Sequence, residues 1–316
     1  MALVWVIGSG GMLGTALISA LAQSEDTLFD PSIQFRWGNQ AIVREQLKQV
    51  AQQFSSKAAK GPWKIYWAAG NGTMHSSEEE LQVETTLLQT LISCLLSDAS
   101  LNLNVGMFIF ASSAGAIYAG APEELITETT APAPINAYGR AKLLQESLIN
   151  ILNKNGQGAT AISCRISTLY GFKSKSGKPQ GLIAEIVRRT LLNQVVHIYV
   201  PLETMRDYIS AKNAAIQMIE TAAQFEKTPG THLKIIASGI STSVAQILAI
   251  VKAICKRNLR FITQADTKSI QYQRVVQFNS EANIRNRYLH QAHLIEGIAE
   301  LLAESQKHIA KNGWGQ

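Results

Sequence analysis

The sequence predicts an α/β fold, in which a doubly wound parallel sheet is followed by a smaller mixed C-terminal domain. Two observations predict this class. Short apolar, strand-like segments alternate with longer helical patterns through about residue 170, and a glycine cluster joins the first strand directly to the first helix. Alternating strands and helices of this kind form a parallel sheet with helices on both faces.

Five apolar segments are the expected strands of the sheet. They are LVWVIG (3–8), IQFRW (33–37), KIYWAAG (64–70), GMFIFASS (106–113) and ATAISCRIS (159–167). The second has a rival, because TLFDP (27–31) would also make a short strand. Residues 25–40 leave too little chain for two parallel strands and a crossover, so only one of them can be the second strand.

Helical patterns lie between these strands. They cover 12–23, 40–54, 76–98 and 137–156. Serines and glutamates open the third helix, as a cap and an acidic first turn would. Gly156 is expected to close the fourth.

The regular alternation of strand and helix patterns ends at about residue 170. A polar, glycine-rich loop at 171–181 precedes less regular helix and strand patterns. We therefore predict a first domain over 1–170, with a returning segment near 205–228, and a mainly substrate-binding domain over 171–316.

Composition narrows the classes of function. Apolar residues make up 46% of the chain and charged residues 16%, and the net charge of +6 is scattered rather than clustered. A nucleic-acid partner would need a basic face, so small anionic ligands such as phosphates fit better. The three cysteines share no metal-ligand spacing, which argues against a metal site.

The same survey predicts a cellular location. The apolar start lacks a basic leader segment and breaks at Gly8, and no apolar run approaches the length of a membrane span. Free cysteines suit a reducing compartment. We expect a cytoplasmic protein with no membrane partner.

Gly8, Gly11 and Gly14 form a G-x-x-G-x-x-G spacing between the first strand and the first helix. Glycine lets the backbone turn tightly and lets a pyrophosphate approach it closely. The helix amino terminus adds free N–H groups and partial positive charge. The pattern predicts a dinucleotide site, although a tight turn without a ligand would also use glycine.

The second strand determines which dinucleotide is expected. If it is IQFRW, Arg36 stands near its end and could pair with a 2′-phosphate, which favours NADP. If it is TLFDP, Asp30 could instead bind the ribose hydroxyls of NAD. The first interpretation, with NADP preferred over NAD, is the one we take forward from the sequence.

A catalytic group is expected where the fourth strand ends. Ser112 and Ser113 close that strand, and Tyr138 and Lys142 follow four residues apart, on one face of a helix. An ammonium beside a phenol favours the phenolate and lowers its pKa, which makes tyrosine useful as an acid–base. Tyr208 and Lys212 repeat the spacing, but they come after the sheet pattern has ended.

These motifs resemble those of the extended short-chain dehydrogenase/reductases, in the NAD-dependent epimerase/dehydratase family. The resemblance covers most of the chain and keeps the family's order. It is carried by GSGGMLG (8–14), WAAGN (67–71), FASSAGAIYAG (110–120), YGRAK (138–142), RISTLYG (165–171), RDYIS (206–210) and LIEGIAELLAE (294–304).

The resemblance implies a Rossmann domain and a role for each matching residue. Tyr138 would be the acid–base, Lys142 would bind the nicotinamide ribose, and Ser113, rather than Ser112, would hold the reacting oxygen. Arg206 would contact the diphosphate of the substrate, or else be a surface arginine paired with a carboxylate. The pyrophosphate and adenosine-ribose of the cofactor would be held by Gly8, Gly11, Met12, Leu13, Gly14, Ala68 and Ala69.

The resemblance also narrows the reaction. Sugar dehydratases of the family carry an acidic pair after the catalytic hydroxyl, and epimerase-reductases often carry a cysteine there. This chain has Ala114 and Gly115. That leaves hydride transfer at one carbinol or ketone carbon of a nucleotide sugar, as 4-keto reduction or 4-epimerisation. A non-catalytic NADP-sensing or scaffold protein is the alternative.

Two further expectations concern assembly and departures from the family. Relatives pair the helices that correspond to 78–98 and 136–153, so a homodimer is expected.

The chain departs from the family at three places. Glu84 occupies a helix position where the family often has asparagine, and Asn213 stands where aspartate is common. The third strand with its helix is missing between Arg36 and Trp63. The adenine end of the site is therefore expected to be unusual.

Overall fold

The computed structural model describes residues 1–59, 61–172, 181–264, 276–280 and 290–312. Residues 173–180 of the expected polar loop lie outside them. The strands are β1 (Leu3–Ile7), β2 (Thr27–Leu28), β3 (Trp63–Trp67), β4 (Gly106–Ser113), β5 (Leu125–Ile126), β6 (Asn153–Lys154), β7 (Gln157–Gly158), β8 (Thr160–Ile166), β9 (Thr168–Tyr170), β10 (Val196–Ile198), β11 (Met205–Ser210), β12 (Thr231–Ile236), β13 (Ser241–Ser243), β14 (Phe261–Thr263) and β15 (Gln277–Phe278).

The helices occupy the longer segments between these strands. They are α1 (Met12–Leu21), α2 (Gln40–Ala58), α3 (Glu78–Ser97), α4 (Ala114–Ile117), α5 (Ala137–Asn150), α6 (Leu182–Leu191), α7 (Ala211–Gln224), α8 (Val244–Cys255) and α9 (His290–Asn312), with a short 3-10 turn at Leu103–Val105. None of the helices in the described ranges is both long and apolar enough to cross a bilayer.

Six parallel strands form the central sheet, in the order β12-β8-β4-β3-β1-β2. Register aligns their carboxyl ends, since Ile7 pairs with Trp67 and Trp67 with Phe110. The segments that follow these strands therefore begin at one edge of the sheet, which is where open parallel sheets bind ligands.

Helices cover both faces of this sheet, which confirms the doubly wound α/β class. One apolar cluster joins the sheet to α2, α3 and α5 and includes Trp5, Phe54 and Leu91. The other joins it to α1 and α7 and includes Leu17 and Met218. The sheet is buried from both sides, which explains the nearly continuous apolar sequence of its central strands.

The chain after β8 alternates between two layers. Strands β9, β11 and β13 form a smaller sheet, and α6, α8 and α9 pack into a separate apolar core. The chain then returns through α7 and β12 to the central sheet. The return extends to Ile236, beyond the 205–228 segment expected from sequence, and the domain division near residue 170 stays a prediction.

The predicted strand at 33–37 is wrong. The second strand is β2, at Thr27–Leu28, where Leu3 pairs with Thr27. Phe29 then turns inward, with its ring 5.6 Å from that of Trp5 and 5.3 Å from that of Phe54. The rings of Phe35 and Trp37 contact each other at 5.3 Å in the loop before α2, so their apolar character does not indicate a strand.

β2 is the edge of the central sheet within the described residues. The chain passes from β2 to α2, and α2 leads directly to β3. Between Arg36 and Trp63 the described residues form one helix, α2, and no strand, and the expectation that a strand and helix of the family are missing there stays a prediction.

Candidate active site

The glycine turn after β1 is closed so tightly that side chains would not fit. Gly8 has a φ of +88°, and a Cβ there would lie 2.6 Å from the Ala69 nitrogen. A Cβ on Gly14 would overlap the carbonyl oxygen of Gly8. The first helix therefore starts directly against the ends of β1 and β3, as the sequence spacing indicates.

The amino terminus of α1 is open to an anionic ligand. Gly11 is the N-cap residue and brings no side-chain acceptor, and the first turn, with Met12 and Leu13, has no acidic residue. By contrast, side chains cap α2, α3, α5, α7 and α8. The first-turn N–H groups have no acceptor within the helix, so a cofactor diphosphate fits this end.

Ser113, Tyr138 and Lys142 lie together at the end of β4. The Ser113 side chain lies close enough to the Tyr138 phenol to lower its pKa, and the Ser113 hydroxyl accepts the Ala116 N–H at 3.4 Å. The Lys142 ammonium lies 5.6 Å from the centre of the Tyr138 ring and 4.9 Å from that of Phe110. The sequence-predicted group thus forms one cluster.

Ser112 points away from this cluster. Its hydroxyl donates at 2.6 Å to the Glu146 carboxylate, which also holds Arg165 in a buried ion pair at 2.7 Å. Successive side chains of a strand point to opposite faces. Ser113 is consequently the serine beside the phenol, and Ser112 belongs to the packing beneath α5.

The pKa of Tyr138 is not lowered, contrary to the sequence expectation. Burial raises it, the nearby charge of Glu84 raises it further, and the Ser113 side chain opposes both. The Lys142 ammonium lies over the ring and donates at 3.4 Å to the Ala111 carbonyl. Burial also lowers the pKa of Lys142, against the favourable charges of Glu84 and Glu146.

Glu84 on α3 is the component that sequence reasoning noted only as a departure from the family. Its carboxylate accepts the N–H of Asn71 at 2.5 Å and that of Gly72 at 2.6 Å, in the loop after β3. A Cβ on Gly72 would lie 3.1 Å from the Tyr138 ring. The only sign of this role in the sequence is that glutamate stands at position 84, where the family often has asparagine.

The residues expected at the adenosine end occupy different settings. Ala68 and Ala69 follow β3 and contact the glycine turn. Asp30 lies two residues after β2, as expected if TLFDP forms the second strand. Arg36 is exposed in the loop before α2, and its backbone N–H donates to Gln46 at 2.8 Å. The argument that places Arg36 at a strand end therefore fails.

Arg206 and Asp207 are consecutive residues of β11, in the small sheet. Arg206 is partly buried and donates at 2.8 Å to the Met205 carbonyl. Asp207 is completely buried and accepts hydrogen bonds from the Ser167 hydroxyl and from the N–H groups of Ser238 and Gly239. Burial raises the pKa of Asp207 to about 6, although these hydrogen bonds lower it.

The second Tyr-x-x-x-Lys spacing does not form a catalytic pair. Tyr208 is buried in the C-terminal core. Lys212 is exposed on α7 and pairs with Glu300 at 2.7 Å. Context, rather than spacing, separates this pair from Tyr138 and Lys142.

Known proteins are similar to this chain in sequence and in fold. The model of the NAD dependent epimerase/dehydratase family matches residues 4–237. The chain is 25% identical to the dTDP-4-dehydro-6-deoxyglucose reductase of Escherichia coli over 221 residues, which cover 65% of this chain and 68% of the reductase.

Solved structures share the fold of this chain at lower sequence identity. MoeE5 in complex with UDP-glucose and NAD superposes with a TM-score of 0.76 at 18% identity, over 98% of this chain and 100% of that one. The UDP-glucose 4-epimerase of Thermotoga maritima, with UDP-glucose, has a TM-score of 0.74 at 18% identity and the same coverage.

The family model spans most of the chain, and it covers the glycine turn, the serine at the end of β4 and the tyrosine–lysine pair. Solved structures with this fold hold NAD or NADPH. The chain belongs to the NAD dependent epimerase/dehydratase family and is an NAD(P)-dependent enzyme of the short-chain dehydrogenase/reductase type.

Proposed function

We propose that this enzyme transfers a hydride at a carbinol or ketone carbon of a nucleotide-activated sugar, in a 4-keto reduction or a 4-epimerisation. The observation that carries the proposal is the position of Tyr138. Its phenol lies beside Ser113 at the end of β4 and against the loop after β3, whose start contacts the glycine turn. A substrate oxygen beside that phenol would lie close to a dinucleotide bound along the sheet edge.

Each catalytic side chain has a defined part in this reaction. A bound nicotinamide supplies or accepts the hydride. Tyr138 gives a proton to the substrate oxygen during reduction and removes it during oxidation. Ser113 orients that oxygen by a hydrogen bond, and Lys142, whose ammonium lies over the Tyr138 ring, would bind the nicotinamide ribose.

The substrate class is supported by the relatives, and the reaction type by the absence of an acidic pair directly after Ser113. The Escherichia coli relative is a reductase of a dTDP sugar, and the solved structures bind UDP-glucose. Ala114 and Gly115 follow Ser113 and cannot move a proton, which disfavours dehydration. Arg206 has the charge and fork geometry to bind a substrate diphosphate.

NAD is the favoured dinucleotide. Asp30 follows the strand next to β1, where a carboxylate binds ribose hydroxyls and repels a 2′-phosphate. Arg36, the basis for preferring NADP, lies in the loop before α2 rather than at a strand end. The preference taken from the sequence is therefore reversed in this proposal.

A cytoplasmic homodimer is the proposed form of the enzyme. Leu144 is 50% exposed on α5, Ile151 is 42% exposed directly after that helix, and Leu96 is 41% exposed on the adjacent α3. Such a face on two neighbouring helices suits pairing with a second copy. Light scattering coupled to size-exclusion chromatography measures the resulting mass directly.

Tyr138→Phe tests the catalytic assignment, with Tyr208→Phe as the matched control. We expect Tyr138→Phe to lower kcat on dTDP- and UDP-linked sugars by roughly 10² to 10⁴-fold without weakening NAD binding, and Tyr208→Phe to keep kcat. Net oxidation of NADH by a 4-keto sugar identifies a reductase, while interconversion of 4-epimers without net oxidation identifies an epimerase. A wild-type protein that binds NAD but converts none of these sugars would instead favour the sensing alternative.

A further inference from the structure

The side chain of Glu84 fastens the loop after β3. Its Oε1 accepts two successive backbone N–H groups, those of Asn71 and Gly72. A Cβ on Gly70 or on Gly72 would lie 3.1 Å from its Oε2. The loop is therefore closed around the carboxylate, and the glycines leave the space that this requires.

The same loop forms one wall of the Tyr138 site. A Cβ on Gly72 would lie 3.1 Å from the Tyr138 ring and 2.8 Å from Leu81, so the backbone of Gly72 separates these side chains. Any shift of this loop would change the position of the phenol against Ser113. Glu84 thus acts on Tyr138 through the backbone that it holds.

Glu84 also carries a charge that both catalytic side chains experience. Its carboxylate favours the neutral phenol of Tyr138 and the charged ammonium of Lys142. The other carboxylate that acts on Lys142 is Glu146, which is already engaged by Arg165. Within the described ranges, no lysine or arginine nitrogen lies within 4 Å of Glu84, so it forms no direct ion pair and acts on Lys142 from a longer distance.

We propose that Glu84 is a positioning residue of the proposed hydride-transfer reaction, holding the 70–72 loop against Tyr138 and providing the counter-charge of Lys142. An amide at this position could accept the same two hydrogen bonds without the charge. The glutamate adds a negative charge beside the acid–base, which a purely structural role would not require. This inference rests on the proposed function.

Glu84→Gln tests the charge while keeping the size of the side chain. Groups facing the phenol from the packed elements are Ser113, Lys142 and Glu84, while Glu146 lies farther along α5. Removing the charge of Glu84 makes the phenolate easier to form, so the pH limb that reports Tyr138 moves to lower pH. This holds in both directions of the reaction, and we expect a shift of roughly one pH unit in kcat/KM.

The matched control is Glu79→Gln, an exposed glutamate of the same helix that loses the same charge. Glu84→Asp withdraws the carboxylate by one methylene, and we expect a smaller shift in the same direction. It takes the place of Glu84→Gln if that variant fails to fold. Profiles of the Glu84 variants that superimpose on those of wild type and Glu79→Gln would overturn the proposal.

A second readout does not depend on turnover. The ionisation of the Tyr138 phenol is followed in the cofactor-free protein as the difference in ultraviolet absorbance between each protein and its Tyr138→Phe counterpart. We expect a lower phenol pKa in Glu84→Gln than in wild type, and none of this change in Glu79→Gln. If no sugar is turned over, the proposed function fails, while an unchanged phenol pKa overturns the inference about Glu84.

Discussion

Arg165 and Glu146 form a buried ion pair beneath α5, and its loss should lower the free energy of unfolding by an amount that can be measured. Arg165 in β8 contacts the Glu146 carboxylate in α5 through two nitrogens, at 2.9 Å and 2.7 Å. Their side chains are only 6% and 8% exposed. Ser112 donates to the same carboxylate, and the Arg165 guanidinium also binds the Tyr118 hydroxyl.

The energetics of this pair follow from its burial. Burial opposes the charge of Arg165, but the hydrogen bonds and charge of Glu146 prevail and raise the pKa of Arg165. Removing one partner leaves the other charged and buried, which costs about 3–5 kcal/mol. Replacing both by apolar residues removes both charges and leaves only the hydroxyls of Ser112 and Tyr118 without a partner, at about 1–3 kcal/mol each.

Three variants measure this effect by urea unfolding at neutral pH. We expect Glu146→Leu and Arg165→Met each to lower the free energy of unfolding by about 3–5 kcal/mol, and the double variant to cost clearly less than their sum. The control is Glu78→Leu, which breaks the exposed pair between Glu78 on α3 and Arg140 on α5 and should leave the midpoint almost unchanged. Strictly additive losses would refute the claim that the cost arises from an uncompensated buried charge.

Two further predictions concern Asp207 and the dinucleotide. Folding raises the pKa of Asp207 from 3.8 to about 6. The stability that Asp207 contributes is therefore present below about pH 4, and it is lost as the pH rises through 6. Urea unfolding of wild type and Asp207→Asn should therefore show wild type losing roughly 2–3 kcal/mol relative to the variant between pH 4 and pH 7; parallel curves would contradict this. For the cofactor, fluorescence titration should show that Asp30→Ala weakens NAD binding more than NADP binding. Arg36→Ala should leave NAD binding unchanged, and a selective loss of NADP binding from wild type to Arg36→Ala would instead restore the original preference for NADP.

Much of the fold follows from local pattern. The expected strand at 106–113 coincides with β4, and Ser77 caps α3 with Glu80 in a reciprocal box of hydrogen bonds. The expected end of the fourth helix at Gly156 is six residues late. Asn155 and Gly156 have φ values of 53° and 81° and form the two-residue turn of the β6–β7 hairpin, a geometry that an Asn-Gly pair favours.

The second strand could not be placed from local pattern because both candidates are short and apolar. β2 has two residues, and it is fixed by its pairing with β1 and by the burial of Phe29 between Trp5 and Phe54. These contacts join segments far apart in the sequence. Since the choice between Arg36 and Asp30 depends on that strand, the same long-range packing also decides which of them is proposed to face the dinucleotide.

Sequence spacing predicts the proposed catalytic residues and that they lie together, but it does not predict their protonation. Spacing on a helix places Tyr138 and Lys142 on one face, and spacing alone suggests that the ammonium makes the phenol more acidic. The pKa depends instead on how deeply the phenol is buried and on a carboxylate contributed by a different helix. Glu84 lies 54 residues before Tyr138 in the chain, so its effect arises only when α3 and α5 pack together on the sheet. A motif therefore specifies which groups exchange protons, whereas the surrounding fold sets the pH at which they do so.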